Sequence, residues 1–141
     1  MKAIQKSLLL FVSLIFAATF LFSQSVNAQA PAKPWPVPDK DKAIKSAVKF
    51  TDAGVVANGK DLWAKHCKSC HGAKGLGDGP KGASLKTSPG DFTAAAFQAS
   101  TDGELFYRLN KGRNEMPSYE KKIPEANDRW SLVAYMRTFK K

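Results

Sequence analysis

The sequence predicts an all-α domain with three main helices and one long loop rich in glycine and proline. Apolar residues recur at helical spacing in three stretches, whereas no stretch shows the alternating pattern of a strand. No internal repeat is present. The 141 residues suffice for one domain with a modest core, which excludes two large enzymatic domains.

The first main helix is predicted from Asn58 to His66, within a domain that begins near Asp52. Leu62 and Trp63 lie on one side of this stretch and lysines on the other, and the helix runs into Cys67. After it, the stretch from Gly72 to Gly90 contains too many glycines and prolines for regular structure, and we expect a long loop there.

The second main helix is predicted to begin at Thr101 or Asp102 as N-cap and to end at Gly112. Glu104 falls in the first turn, where a carboxylate is favourable. The last helix is predicted over Glu125 to Lys140. Its apolar residues recur three residues apart, namely Trp130, Val133 and either Met136 or Phe139.

Residues 29–51 are interpreted as a proline-rich linker, because Pro31, Pro34, Pro36 and Pro38 favour extended chain. Within it, residues 41–50 carry apolar side chains at helical spacing. The stretch is short and dense in lysine, so only a marginal helix is predicted. The domain proper is placed at 52–141.

Residues 1–28 are interpreted as a secretory signal peptide. Lys2 and Lys6 precede an apolar run, and Val26-Asn27-Ala28 favours cleavage after Ala28. The alternative is an uncleaved membrane anchor, although the run is shorter than the ~20 residues that cross a bilayer comfortably. We expect a periplasmic or otherwise exported protein, outside the cytoplasmic membrane.

The chain is strongly basic, with a formal charge of +10 that becomes +8 if Lys2 and Lys6 leave with the signal. An exported protein seldom meets nucleic acid, so none is expected as a partner. The charge instead favours solubility and attraction to acidic protein surfaces.

The strongest motif is Cys67-Lys68-Ser69-Cys70-His71. Two thiols three residues apart can reach the two vinyl groups of one haem, and His71 is then placed to bind the iron. The alternatives are a disulfide redox pair, half of a zinc site, and chance. A redox pair would open a βαβ unit, which this chain lacks, and His66 and His71 are its only histidines for a zinc site.

The second axial ligand is predicted to be Met116. Met1 leaves with the signal, and Met136 lies in the apolar stripe of the last helix, where a methionine usually fills the core. Met116 lies in an irregular segment that Pro117 stiffens. His66 is next to Cys67, cannot reach the opposite face, and is predicted to be a surface residue.

Pro80 is predicted to support His71. A histidine ligand needs its second ring nitrogen fixed, commonly by a backbone carbonyl. The loop segment Gly77-Asp78-Gly79-Pro80 lies just downstream of His71, so the Pro80 carbonyl is the candidate.

From about Gly54 to Lys140 the sequence resembles the class I c-type cytochromes, on the spacing of Gly59, Trp63, Cys67, Cys70 and His71. The resemblance implies the cytochrome c fold, wrapped around one haem. It also implies that Gly59 and Trp63 meet Leu132 and Tyr135 where the first and last helices cross, with Trp130 nearby. Met116-Pro117 is similar to the family's distal methionine, and Gly79-Pro80 to its histidine-supporting loop. Arg108 and Arg113 are candidates for binding the propionates.

The predicted function is therefore single-electron transfer by one haem c, bound through Cys67 and Cys70, and not enzymatic turnover. His71 and Met116 would fill both axial positions and leave no site for oxygen. We expect a monomer whose redox partners are an oxidase, a quinol-oxidising complex or a dehydrogenase, with a membrane tether if the signal is uncleaved. Lysines near the expected haem edge would dock on acidic patches. They are Lys68, Lys74, Lys81, Lys86, Lys111, Lys121 and Lys122.

Two alternatives remain open at this point. One is a haem subunit held permanently in a membrane respiratory or dehydrogenase complex. The other is a haem enzyme or gas sensor whose sixth position is open, which a lack of spectral change with carbon monoxide would exclude.

Overall fold

The computed structural model describes residues 34–141, so the predicted signal peptide and its cleavage site lie outside the described residues. In chain order the helices are α1 (Asp39–Lys42), α2 (Ala53–His66), α3 (Lys68–His71), α4 (Ala95–Gln98), α5 (Asp102–Lys111) and α6 (Ala126–Arg137). A short 3-10 turn spans Gly82–Ser84. Residues 34–141 contain no strand, and an isolated bridge joins Arg113 and Met116. The all-α prediction is confirmed.

Local capping signals set the ends of the main helices. The Asp52 carboxylate accepts hydrogen bonds from the amides of Gly54 and Val55, at 2.7 and 3.2 Å, so α2 begins well before the predicted Asn58. Thr101 and Glu104 form a reciprocal capping box at the start of α5, and Gly112, with φ of 65°, ends that helix as predicted.

Helices α2 and α6 cross at close range, and Gly59 lies at the crossing point. A Cβ at Gly59 would overlap the backbone carbonyl of Ser131 and come within 2.9 Å of the Tyr135 Cβ. One turn later, the rings of Trp63 and Tyr135 are 6.0 Å apart, and Leu132 is fully buried in the same apolar cluster as Trp63. The contacts implied for these four residues are therefore present.

Trp130 is the exception, because it lies in a second apolar cluster with Leu105 and Val133. Its ring stacks on Phe106 of α5 at 3.9 Å and lies 6.4 Å from the ring of Phe50. Trp130 thus joins α6 to α5 and to the segment before α2, and not to the α2 crossing.

Residues 34–51 are packed against the domain that was predicted to begin at Asp52. Val37 is buried, and the Thr101 hydroxyl donates to the Lys42 carbonyl at 3.0 Å. Gly103 permits this approach, since a Cβ there would lie 2.7 Å from the Lys42 carbonyl oxygen. These residues belong to the folded body.

The short helix in this segment lies earlier than the marginal helix predicted over residues 41–50. Helix formation is confined to the single turn α1, and the chain after Ala43 is irregular. The Ser46 hydroxyl accepts from the Val48 amide at 3.1 Å and donates to the Val48 carbonyl at 3.0 Å. These local bonds compete with helical pairing.

Arg137 at the end of α6 fixes the start of α5. Its Nε and Nη2 both donate to one Asp102 carboxylate oxygen, at 2.8 and 2.6 Å. Nη2 also donates to the Ser100 carbonyl at 2.6 Å, and Nη1 to the Gln98 carbonyl at 3.0 Å. The planar guanidinium of Arg137 therefore links the end of α6 to the end of α4, the connecting residue Ser100 and the start of α5.

Within residues 34–141, no helix is both long and apolar enough to span a bilayer.

Candidate cofactor site

The two cysteines lie where α2 passes into α3. Cys67 ends α2, and its carbonyl accepts from the amides of Cys70 and His71 at 3.2 and 3.0 Å, so the motif closes into one tight turn. Cys67 is buried, Cys70 is half-buried, and both are free thiols. Burial, and secondarily the nearby Cys70, raises the pKa of Cys67 to about 12. Disulfide-exchange enzymes need a thiol with a lowered pKa, so this environment does not favour that alternative.

The His71 ring is held between aromatic side chains. Its centroid lies 4.6 Å from that of Phe92 and 5.8 Å from that of Trp63. Trp63 donates from Nε1 to the Gly72 carbonyl at 3.0 Å, which fixes the backbone next to His71. Burial lowers the pKa of His71 to about 4, so the imidazole is neutral at pH 7, the form that binds a metal.

Pro89 supplies a backbone carbonyl that influences His71. The Pro89 carbonyl raises the pKa of His71, although burial has the larger and opposite effect. The Nδ1 atom is buried and has no hydrogen-bond partner among the described residues. Pro80 is flanked by bonds from the Gly79 amide to the Cys70 carbonyl and from the Lys81 amide to the Ser69 carbonyl. Pro89 is therefore a second candidate for the supporting carbonyl, and the role of Pro80 stays a prediction.

Met116 is presented by a closed turn. The Arg113 amide donates to the Met116 carbonyl at 2.8 Å, and the Met116 amide donates back at 3.0 Å. Asn114 makes this possible by adopting a left-handed conformation, with φ of 54°. Met136, in contrast, is buried in the α6 core next to Trp63.

One cavity that is open to solvent brings the predicted donors together. Its wall includes Cys67, Cys70, His71 and Met116. The remaining lining residues are Trp35, His66, Leu85, Thr87, Ser88, Pro89, Arg113, Asn114, Glu115, Pro117 and Tyr119.

His66 is half-buried at the rim of this cavity, not simply on the surface as predicted. Its carbonyl accepts from the Tyr119 hydroxyl at 2.9 Å, and the two rings are 6.1 Å apart. Burial, and secondarily the proximity of Cys67 and Cys70, raises the pKa of Tyr119 to about 12. Tyr119 thereby stays a neutral hydrogen-bond donor in the cavity wall.

Of the two arginine candidates, only Arg113 lines the cavity. Its guanidinium lies 4.5 Å from the centre of the Trp35 ring, and Nη1 donates to the Pro34 carbonyl at 2.9 Å. Arg108 is instead engaged with Ser100 at 3.1 Å and with Glu104 at 3.8 Å. Arg108 does not line the cavity.

Several residues of the site were missed by sequence reasoning, namely Trp35, Pro89, Phe92, Glu115 and Tyr119. A usable signal existed for Phe92, which is an aromatic residue within a stretch of small and polar ones. Trp35 was assigned to a linker, and no local pattern indicates that it returns to the cavity.

The residues fit a covalently bound haem c. Two thiols, a neutral imidazole and a thioether face one cavity, and the buried Nδ1 of His71 requires a fixed orientation of the ring. Within residues 34–141, no cluster of three or more His, Cys, Asp or Glu side chains could hold a metal ion alone. The donor set is that of a haem site in both type and grouping.

Residues 54–136 match the family described as cytochrome c oxidase, cbb3-type, subunit III. A solved chain from the reducing HAO-like protein complex Kustc0457/Kustc0458 of Kuenenia stuttgartiensis is similar, with 25% identity and a TM-score of 0.58 over 69% of this chain. This chain spans only 51% of that neighbour's length. The KustC0563 c-type cytochrome is 33% identical, with a TM-score of 0.50, and the similarity covers 59% of this chain and 98% of that one.

No curated protein matches the sequence significantly. The family match covers more than half of the chain, and it agrees with the helical fold and the Cys67–His71 motif. Membership implies haem c as the cofactor and electron transport as the role. The chain belongs to the cbb3-type subunit III family of cytochrome c domains, as a monohaem cytochrome c domain.

Proposed function

We propose that this protein is an exported single-electron carrier with one haem c, attached through Cys67 and Cys70 and bound axially by His71 and Met116. The observation that carries the proposal is that all four side chains line one cavity, although Met116 is 45 or more residues from the other three in sequence. Haem c supplies a one-electron ferric/ferrous couple.

The chain's own residues tune and protect this centre. Phe92 and Trp63 restrict the His71 ring, and the Pro89 carbonyl is available to Nδ1, which leaves Nε2 as the metal ligand. A thioether ligand favours ferrous iron more than a second imidazole would. Tyr119 and Pro117 close part of the wall and limit the access of water.

The test is the visible spectrum of the protein purified from a host that attaches haem, next to Met116→Ala. We expect a sharp reduced α band that survives denaturation, and a weak far-red band in the oxidised protein that Met116→Ala abolishes. Met136→Leu is the matched control, because Met136 is a core residue of similar volume that does not line the cavity.

Each outcome has a distinct meaning. Absence of covalent haem would contradict the central proposal. An unchanged far-red band in Met116→Ala would keep the cytochrome and reassign the sixth ligand. Carbon monoxide binding to the wild-type reduced protein would favour the alternative of an open sixth position.

The export signal and the basic surface support a location outside the cytoplasmic membrane and acidic redox partners such as an oxidase, a quinol-oxidising complex or a dehydrogenase. A second candidate is a haem subunit held permanently in a complex. The matched family is named for an oxidase subunit, and one solved neighbour is part of a complex. Purification from the native host at low detergent separates the two, since a mobile carrier elutes as a monomer and a subunit elutes with its complex.

A further inference from the structure

We propose that Glu115 is a positioning residue that ties the loop bearing Met116 to the loop that supports His71. The inference rests on the proposed His71/Met116 ligation. It concerns how two segments that line the cavity are held together.

The Glu115 carboxylate accepts hydrogen bonds from two consecutive backbone amides across the cavity wall. The Lys86 amide lies 3.1 Å from Oε1 and 3.0 Å from Oε2, and the Thr87 amide lies 3.3 Å from Oε2. Both carboxylate oxygens therefore accept hydrogen bonds, and the donors are neighbouring backbone amides. The side chain spans 28 to 29 residues of sequence.

Both partners in this contact are close in sequence to residues of the proposed cofactor site. Glu115 immediately precedes Met116, within the turn that Arg113 closes. Thr87 is two residues before Pro89, whose carbonyl acts on His71. Glu115, Met116, Thr87 and Pro89 all line the same cavity.

This side-chain contact joins the two loops directly. The Met116 loop is also shaped by internal bonds, such as those of the Arg113–Met116 turn. Glu115 is exposed, so its bonds contribute little to global stability. A surface loop opens locally at a far lower free-energy cost than the core. We therefore expect these hydrogen bonds to control how often the Met116 loop moves away from the Pro89 loop.

The test compares haem-loaded full-chain wild type with Glu115→Ala and Glu115→Gln. The first readout is the rate at which excess imidazole replaces the Met116 thioether, followed by loss of the far-red band. We expect this rate to rise ~10-fold in Glu115→Ala, which corresponds to ~1.4 kcal/mol and lies near the low end for hydrogen bonds to charged groups. The replacement rate in Glu115→Gln should lie between those of wild type and Glu115→Ala, because the amide oxygen of glutamine can still accept from both backbone amides.

The second readout is the hydrogen exchange of the Lys86 and Thr87 amides in the same proteins. Both amides should exchange faster in Glu115→Ala than in wild type. Their exchange should be unchanged in Lys86→Ala, since this substitution removes a surface side chain and keeps the backbone donor. Lys86→Ala should also leave the imidazole rate unchanged. This control separates the amide contact from any effect of local charge.

The inference is overturned if Glu115→Ala matches wild type in both the imidazole rate and the exchange of the two amides. It is also overturned if Lys86→Ala behaves like Glu115→Ala. Failure of the proposed ligation has a different signature, because the wild-type protein itself would then lack the far-red band before any substitution.

Discussion

Gly59 is the residue on which the α2–α6 crossing depends. Its neighbours at the crossing are the Ser131 carbonyl and the Tyr135 Cβ, neither of which can withdraw without moving α6. Because α6 also carries Leu132 and Val133, both fully buried, such a movement would disturb the apolar cores on both of its sides.

We therefore expect Gly59→Ala to lower the free energy of unfolding by at least ~3 kcal/mol, the upper part of the range for overpacked cores. Denaturant unfolding of the haem-loaded protein measures this. Ala57→Ser, an exposed change two residues earlier on α2, should shift stability by less than ~0.5 kcal/mol. A Gly59→Ala protein as stable as wild type would mean that the helices tolerate a wider crossing than the structure has.

The residues of the site differ in how far local sequence could predict them. Cys67, Cys70 and His71 follow from one short motif, and Met116 followed from elimination among three methionines. Pro89 could not be found in this way, because Pro80 and Pro89 lie in the same glycine-rich loop. Which carbonyl approaches His71 depends on where the loop turns back, and the bond from the Phe92 amide to the Gly75 carbonyl at 2.7 Å sets that return.

At the scale of elements, the contribution of the Arg137 contacts between α6 and the start of α5 to the free energy of unfolding can be measured. Arg137 holds both the Asp102 carboxylate and the carbonyls of Ser100 and Gln98. Arg137→Ala should therefore cost more stability, ~2 kcal/mol, than Asp102→Ala. A double-mutant cycle of the two should give a coupling of ~1 kcal/mol, since the pair is only partly exposed.

The matched control is the pair of Lys111 and Glu120, at 3.8 Å and with both side chains 55% exposed. Its coupling should stay below ~0.5 kcal/mol, as is usual for surface ion pairs. Equal couplings in the two pairs would show that the bidentate geometry of Arg137 adds nothing.

Helices with their own end signals were the elements that sequence predicted well. Thr101, Glu104 and Gly112 define α5 within a span of twelve residues, and no distant contact is needed. Residues 34–51 lack such signals, and their structure comes from partners far along the chain. Phe50 packs on Trp130, and Lys42 receives the Thr101 hydroxyl. A proline-rich composition therefore predicted extended chain, but not where that chain would pack.

For the whole molecule, the net charge predicts opposite salt dependences for oxidation by an anionic and by a cationic oxidant. The sequence carries +10, so the reduced protein should attract an anionic oxidant such as ferricyanide and repel a cationic cobalt complex. Stopped-flow oxidation should become slower with added salt for ferricyanide and faster for the cobalt complex. The reverse pattern, with faster oxidation by ferricyanide and slower oxidation by the cobalt complex at higher salt, would show that the charge near the cavity is negative despite the positive net charge.

The two apolar clusters divide the molecule by role. One contains Trp63, Cys67 and Met136 and borders the cavity. The other contains Leu105, Trp130 and Val133, and none of these lines the cavity. Sequence patterning predicted the apolar face of each helix but did not separate these clusters, because α6 contributes adjacent residues to both.

The contact between Pro34 and Arg113 places the start of the described chain at the cavity mouth. Whatever precedes Pro34 must begin there. Eleven residues, 23–33, separate the predicted apolar run from Pro34, and fully extended they reach at most roughly 40 Å. If that run remains in the bilayer, the cavity rim at Pro34 stays within that distance of the lipid surface, which favours donors and acceptors that are embedded in the same membrane or lie on it.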